Sequence, residues 1–134
     1  MSKVFLGGTC NGSTWREKLI PILDSEYFNP VVEDWTPECM ERELYERDHC
    51  TWCLYVLTPK MTGVYSIAEV VDDSNKRPYQ TMLVILEEDD GIKFDEHQMK
   101  SMNMVKKMVR DNGAYVFPDL EMASEYIDAH AGVY

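Results

Sequence analysis

The sequence predicts an α/β domain built on an open, five-stranded parallel sheet with helices on both faces. Three observations carry that expectation. Short runs rich in apolar and β-branched residues alternate with helical patterns from one end to the other. The central runs are apolar without alternation, as strands covered on both faces are. The chain has 134 residues, which at roughly 100–200 residues per domain leaves room for one domain, 1–134.

The first strand is Lys3 to Gly7, ended by Gly7-Gly8 and the Asn11-Gly12 turn signal. Ser13 or Thr14 caps a helix through Leu23, with Trp15, Leu19, Ile22 and Leu23 on one side. Tyr27-Phe28 and Val31-Val32 form a second strand, interrupted by Asn29-Pro30; a proline has no N–H, so this strand belongs at an edge. Thr36-Pro37-Glu38 combines a capping hydroxyl, proline at the first helical position and an acid in the first turn. The helix it starts runs to about His49, is rich in Glu and Arg, and is expected to be mostly solvated. Trp52 to Thr58 is the third strand, and Val64 to Ser74 a helix with Ile67, Val70 and Val71 inward. Thr81 to Leu86 is the fourth strand, followed by a loop from Glu87 to Lys93 whose acidic run is read as solvated. A Met-rich helix covers Asp95 to Arg110, its methionines read as core packing. Ala114 to Phe117 is a short fifth strand, and Asp119 starts a last helix to about Ala129. The most economical strand order is 2-1-3-4-5, a flavodoxin- or Rossmann-like winding that puts the proline-bearing strand at an edge.

Charge narrows the function. Thirteen basic residues against 24 acidic ones give a net charge of −11, which repels nucleic acid and anionic membrane surfaces alike. No apolar run approaches the roughly 20 residues of a membrane span, and no signal-peptide pattern opens the chain. Four cysteines in such a chain read as reduced thiols in the cytoplasm. The Cys50-Thr51-Trp52-Cys53 pair leads into a strand rather than opening a helix, against a redox role. Cys10, Cys39, His49 and His97 do not supply a zinc pattern, so no metal or other cofactor is expected.

Ligands in such sheets bind beyond the carboxyl ends of the strands where the winding reverses, here between strands one and three. That selects two loops, Gly7-Gly8-Thr9-Cys10-Asn11-Gly12-Ser13 and Pro59-Lys60-Met61-Thr62-Gly63. The first fits neither the dinucleotide fingerprint nor a P-loop. After the second comes Glu69, a carboxylate set among Ile67, Ala68, Val70 and Val71, out of place in a purely structural helix.

Val4-Phe5-Leu6-Gly7-Gly8-Thr9-Cys10, Trp15-Arg16, Tyr27-Phe28-Asn29-Pro30-Val31-Val32-Glu33-Asp34-Trp35 and Gly63-Val64-Tyr65-Ser66-Ile67-Ala68-Glu69 together resemble the nucleoside 2-deoxyribosyltransferases. The closer resemblance is to the short phage- and bacteria-associated branch, the nucleoside 2-deoxyribosyltransferase-like family. The resemblance implies base exchange on a 2′-deoxynucleoside through a covalent deoxyribosyl-enzyme without a cofactor, with Glu69 as nucleophile. Asp34 is the candidate acid for the departing base. Gly8, Thr9, Cys10, Trp15, Arg16, Trp35, Met61, Gly63, Tyr65 and Ser66 are the candidate substrate contacts. The ending Gly132-Val133-Tyr134 is similar to the tail of the longer transferases, which implies a homo-oligomer with Tyr134 reaching a neighbour's site. The chain departs from the longer enzymes at Gly63, where they carry an aspartate, and at Phe5, where they carry a tyrosine. Two alternatives stay open: an N-glycoside hydrolase of deoxynucleosides or their 5′-monophosphates, with Arg16 on the phosphate, and a nucleotide-binding module without turnover.

Overall fold

The carboxyl ends of the strands set where a ligand can sit. The computed structural model describes residues 2–10, 12–32 and 34–130. Its elements are β1 (Lys3–Gly8), α1 (Trp15–Leu19), β2 (Glu26–Phe28), α2 (Pro37–His49), β3 (Trp52–Leu57), α3 (Tyr65–Lys76), β4 (Thr81–Ile85), β5 (Glu88–Asp89), β6 (Ile92–Lys93), α4 (Glu96–Asp111), β7 (Tyr115–Phe117) and α5 (Leu120–Ala129). Five strands form one parallel sheet in the order β2-β1-β3-β4-β7, the doubly wound order expected from the sequence. The winding reverses between β1 and β3, which pair from Val4 with Trp52 to Gly8 with Val56.

Period-2 alternation in the strands fills a core on each face. Val4, Leu6, Leu54, Val56, Met82 and Val84 pack with Trp15, Leu19, Leu120, Ala123 and Ile127, so α1 and α5 cover one side. Phe5, Cys53, Tyr55, Leu57, Leu83 and Ile85 pack with Val70, Met102 and Val109, so α3 and α4 cover the other. Cys50 and Cys53 lie in this second core as free thiols. Burial pushes both thiols up, Cys50 to about 12, the opposite of the lowered pKa that a reactive redox thiol needs.

Three readings of the sequence are corrected. The second strand stops at Phe28: Pro30 ends the pairing, and Val31 and Val32 continue as exposed loop. The helix at Pro37–His49 is mostly solvated, as expected, but Glu46 and Arg47 are buried while Met40, Leu44 and Tyr45 are exposed. Of the helix methionines, Met102 is core but Met104 and Met108 face solvent. The acidic run is an antiparallel hairpin, β5 with β6, turning at Asp90-Gly91 where both residues have positive φ. No helix among the described residues is long and apolar enough to cross a membrane.

Candidate active site

A cavity of about 480 Å³ opens at the carboxyl ends of β1 and β3, where the winding reverses. Gly7, Gly8, Thr9 and Cys10 form one wall, Met61, Thr62 and Gly63 another, with Tyr65, Ser66 and Glu69 of α3 behind them. Pro30, Val31, Val32 and Trp35 from the segment after β2 close the far side, and Glu43 of α2 completes it.

The first wall depends on Gly8. Its φ is +118°, and a Cβ there would stand 2.1 Å from the carbonyl oxygen of Val56, so only glycine permits this approach of β1 to β3. The approach lets the Thr9 amide donate to Val56 O at 2.9 Å, while Thr9 Oγ1 accepts from the Thr58 amide at 3.0 Å. Thr9 O in turn accepts from Trp15 Nε1 at 2.8 Å and Arg16 Nη1 at 2.7 Å. The hairpin adds a second tie. Buried Asp89 accepts from the Ser13 hydroxyl, and Asp90 accepts from Lys60 Nζ at 2.7 Å and, more loosely, from Lys18 Nζ at 3.4 Å. The acidic run therefore clasps the two cavity loops together.

Glu69 is the cavity's buried carboxylate, its side chain 11% exposed. Burial pushes its pKa up from 4.5 to about 7; Arg47 opposes the rise, and the negative charges of Glu43 and Asp73 add to it. Arg47 Nη1 lies 3.7 Å from Glu69 Oε2, too long for a tight pair. Glu43, half-buried, is also pushed up by burial and held back by Arg47 and Arg16. Two acids thus share one cavity, each more reluctant to ionise than an exposed carboxylate.

Most of the expected contacts converge here: Gly8, Thr9, Cys10, Arg16, Trp35, Met61, Gly63, Tyr65, Ser66 and Glu69 all line the cavity. Trp15 does not; it is wholly buried among Leu6, Leu19 and Ile127, with its indole N–H taken by Thr9 O. Asp34 is exposed and lies outside the lining, whereas its neighbour Trp35, itself largely exposed, lines the cavity. Tyr134 lies outside the described residues. Arg16 lines the cavity but is committed to backbone: Nε and Nη2 donate to Leu6 O at 3.2 and 2.9 Å, and Nη1 to Thr9 O. Its guanidinium also stacks on Trp15 at 4.3 Å. Among the described residues it forms no ion pair with a surface acid, and it holds the first loop from beneath.

Sequence reasoning missed Glu43 and Arg47. Both sit in a helix whose charged residues read as a solvated face, and their only signal is an i,i+4 acid–base spacing common to many exposed helices. Among the described residues no group of three His, Cys, Asp or Glu side chains is placed to hold a metal ion.

Residues 1–88 match the model of the family described as nucleoside 2-deoxyribosyltransferase like. That span contains every residue lining the cavity. No curated protein and no solved structure matches the chain.

Proposed function

Because the chain belongs to the nucleoside 2-deoxyribosyltransferase-like family, we propose that its cavity exchanges the base of a 2′-deoxynucleoside by double displacement. The observation that carries this reading is Glu69, a carboxylate buried at the winding reversal and held near neutrality between its charged and neutral forms.

In the first displacement a Glu69 carboxylate oxygen bonds to C1′ of the sugar as the C1′–N bond breaks. Cleavage passes through an oxocarbenium-like state, and the developing positive charge is stabilised by the carboxylate. The departing base nitrogen needs a proton, and the carboxyl of Glu43 supplies it. Glu43 takes the acid role expected of Asp34 because it lines the cavity beside Glu69, whereas Asp34 is exposed. In the second displacement a nitrogen of the incoming base bonds to C1′, the ester to Glu69 breaks, and the incoming base returns its proton to Glu43. Two inversions leave the sugar with its original configuration, and no cofactor enters the balance. Trp35, Tyr65, Val31 and Met61 offer the apolar and aromatic surface a base needs.

Chromatography of purified protein with thymidine, with and without free adenine, tests the reading. Deoxyadenosine should form only when adenine is present and vanish in Glu69→Ala. Free thymine without exchange would make water the acceptor and the protein a hydrolase. No product from nucleosides or their 5′-monophosphates would leave a binding module.

A further inference from the structure

Glu69 is one of three acids on a single side of α3. Asp72 and Asp73 follow it by three and four residues, and the Arg47 side chain of α2 lies across all three. Arg47 Nε and Nη2 each donate to a different oxygen of Asp73, both at 3.0 Å. Nη2 also reaches Asp72 at 3.2 Å, and Nη1 stands 3.7 Å from Glu69 Oε2. Asp73 has no exposed surface. It is closed on its remaining sides by Arg77 Nε at 3.1 Å and by the hydroxyl of Tyr55 from β3. The backbone of Arg47 is held as well: its carbonyl accepts from Arg77 Nη1 at 3.1 Å and from the Cys53 thiol at 3.2 Å. The guanidinium is therefore held chiefly by Asp73 and Asp72, which lie outside the cavity lining, with one longer contact from Nη2 to the Glu69 carbonyl at 3.5 Å.

We propose that Arg47 is a positioning residue for Glu69, and that Asp73 anchors the guanidinium at a distance where it orients the nucleophile without closing on it. The inference rests on Glu69 being the nucleophile of the proposed transfer. A bidentate pair between Arg47 and Glu69 would occupy both carboxylate oxygens and compete with C1′ for them. With no cation in reach, a carboxyl buried beside Glu43 would keep its proton and could not attack. Asp73 satisfies the Arg47 fork on one edge and leaves Nη1 facing Glu69. The other charged groups around Glu69 are Glu43 on α2, with Arg16 of α1 beyond it, and Asp72 on its own helix.

The two partners make opposite predictions. Arg47→Met removes the nearby cation, so Glu69 should titrate higher. Asp73→Asn removes a negative charge and loosens Arg47 toward Glu69, so Glu69 should titrate lower. Each shift should be about one pH unit or more, read by carbon-13 NMR of the Glu69 carboxyl and assigned by its loss in Glu69→Gln. The acid limb of kcat for thymidine–adenine exchange should move with each midpoint, while KM changes little. Arg47→Lys keeps the charge and loses the fork, so the midpoint should stay near the wild type while kcat falls about tenfold. If Arg47→Met does not fold by circular dichroism, Asp73→Asn and Arg47→Lys decide the matter. Shifts in the same direction, or an unmoved Glu69 midpoint beside a lower melting temperature, would reduce the network to a structural one and overturn the proposal. Opposite shifts in the variants, beside a wild-type protein that exchanges no bases, would uphold the electrostatic coupling and sink the transfer reading instead.

Discussion

A buried carboxyl whose pKa is pushed from 4.5 to about 7 weakens the fold as pH rises. The sign follows from which state binds the proton more tightly. The folded protein does, so between pH 4.5 and 7 the unfolded chain releases a proton that the folded one still holds, and stability falls across that window. At about 1.4 kcal/mol per unit the loss is complete by pH 8 at about 3 kcal/mol, and is under about 1 kcal/mol at pH 5. Glu69→Gln removes the titration while keeping the side chain's shape, and the contact it sacrifices, to Arg47 at 3.7 Å, is a long one. The variant should therefore be more stable than the wild type at pH 8, by roughly 10 °C in melting temperature for a domain of this size. At pH 5 the two should nearly coincide. Melting followed by circular dichroism at pH 5, 6.5 and 8 reads this directly. A Glu69→Gln protein that melts at or below the wild-type temperature at pH 8 would refute the reasoning, since the charge would then cost the fold nothing. Exchange rates should obey the same group, rising with pH through about 7 as Glu69 ionises. Lower stability in exchange for the proposed nucleophile is the trade expected of an active site.

Other consequences are quicker to test. Gly8→Ala places a Cβ 2.1 Å from Val56 O at a φ of +118°, and should cost about 3 kcal/mol or more in urea denaturation, through strain and the lost Thr9 hydrogen bonds. In native protein Cys10 should react fast with a thiol reagent and Cys39 more slowly, while Cys50 and Cys53 react only after unfolding, because both are buried and their thiolates disfavoured. Glu43→Gln should slow exchange at least about tenfold, most for bases that leave poorly; Asp34→Asn should stay within about twofold. Equal rates for Glu43→Gln and wild type would remove Glu43 as the acid.

The sheet was legible because β3 and β4 are buried on both faces and their runs, Trp52 to Leu57 and Thr81 to Ile85, admit no other reading. Glu69 was legible for a related reason: it interrupts an apolar stretch in the helix that leaves β3. Glu43 and Arg47 were not legible, because α2 is inverted. Its apolar residues Met40, Leu44 and Tyr45 face outward, and Glu46 and Arg47 are buried. Periodicity locates a helix face by its apolar side and therefore points the wrong way here. The hairpin did carry a signal, Asp90-Gly91 before Ile92. Four consecutive acids concealed it, since composition alone says solvated loop. Its real role comes from lysines distant in sequence, Lys18 and Lys60, which no local pattern pairs with Asp90.

The same charges bear on the substrate's 5′ end. A phosphate dianion entering the cavity would need free cationic donors, and three candidates are nearby. Arg16 gives Nε, Nη1 and Nη2 to the carbonyls of Leu6 and Thr9. Lys60 is paired with Asp90 at 2.7 Å, and Arg47 is locked on Asp73 and Asp72. Against them stand Glu43 and Glu69 on the cavity wall, in a protein of net charge −11. Binding a phosphate there would break existing pairs and add a dianion beside two carboxyl groups, whereas a neutral sugar hydroxyl needs only one hydrogen bond. The nucleoside should therefore be favoured over its 5′-monophosphate by at least about tenfold in kcat/KM, the equivalent of about 1.4 kcal/mol. Competition between thymidine and thymidine 5′-monophosphate for one limiting base acceptor measures the ratio in a single vessel. Low salt should widen the preference, because the repulsion is then less screened. A monophosphate used as well as the nucleoside would mean that Arg16 or Lys60 leaves its present partner on binding, and that the first loop moves with it.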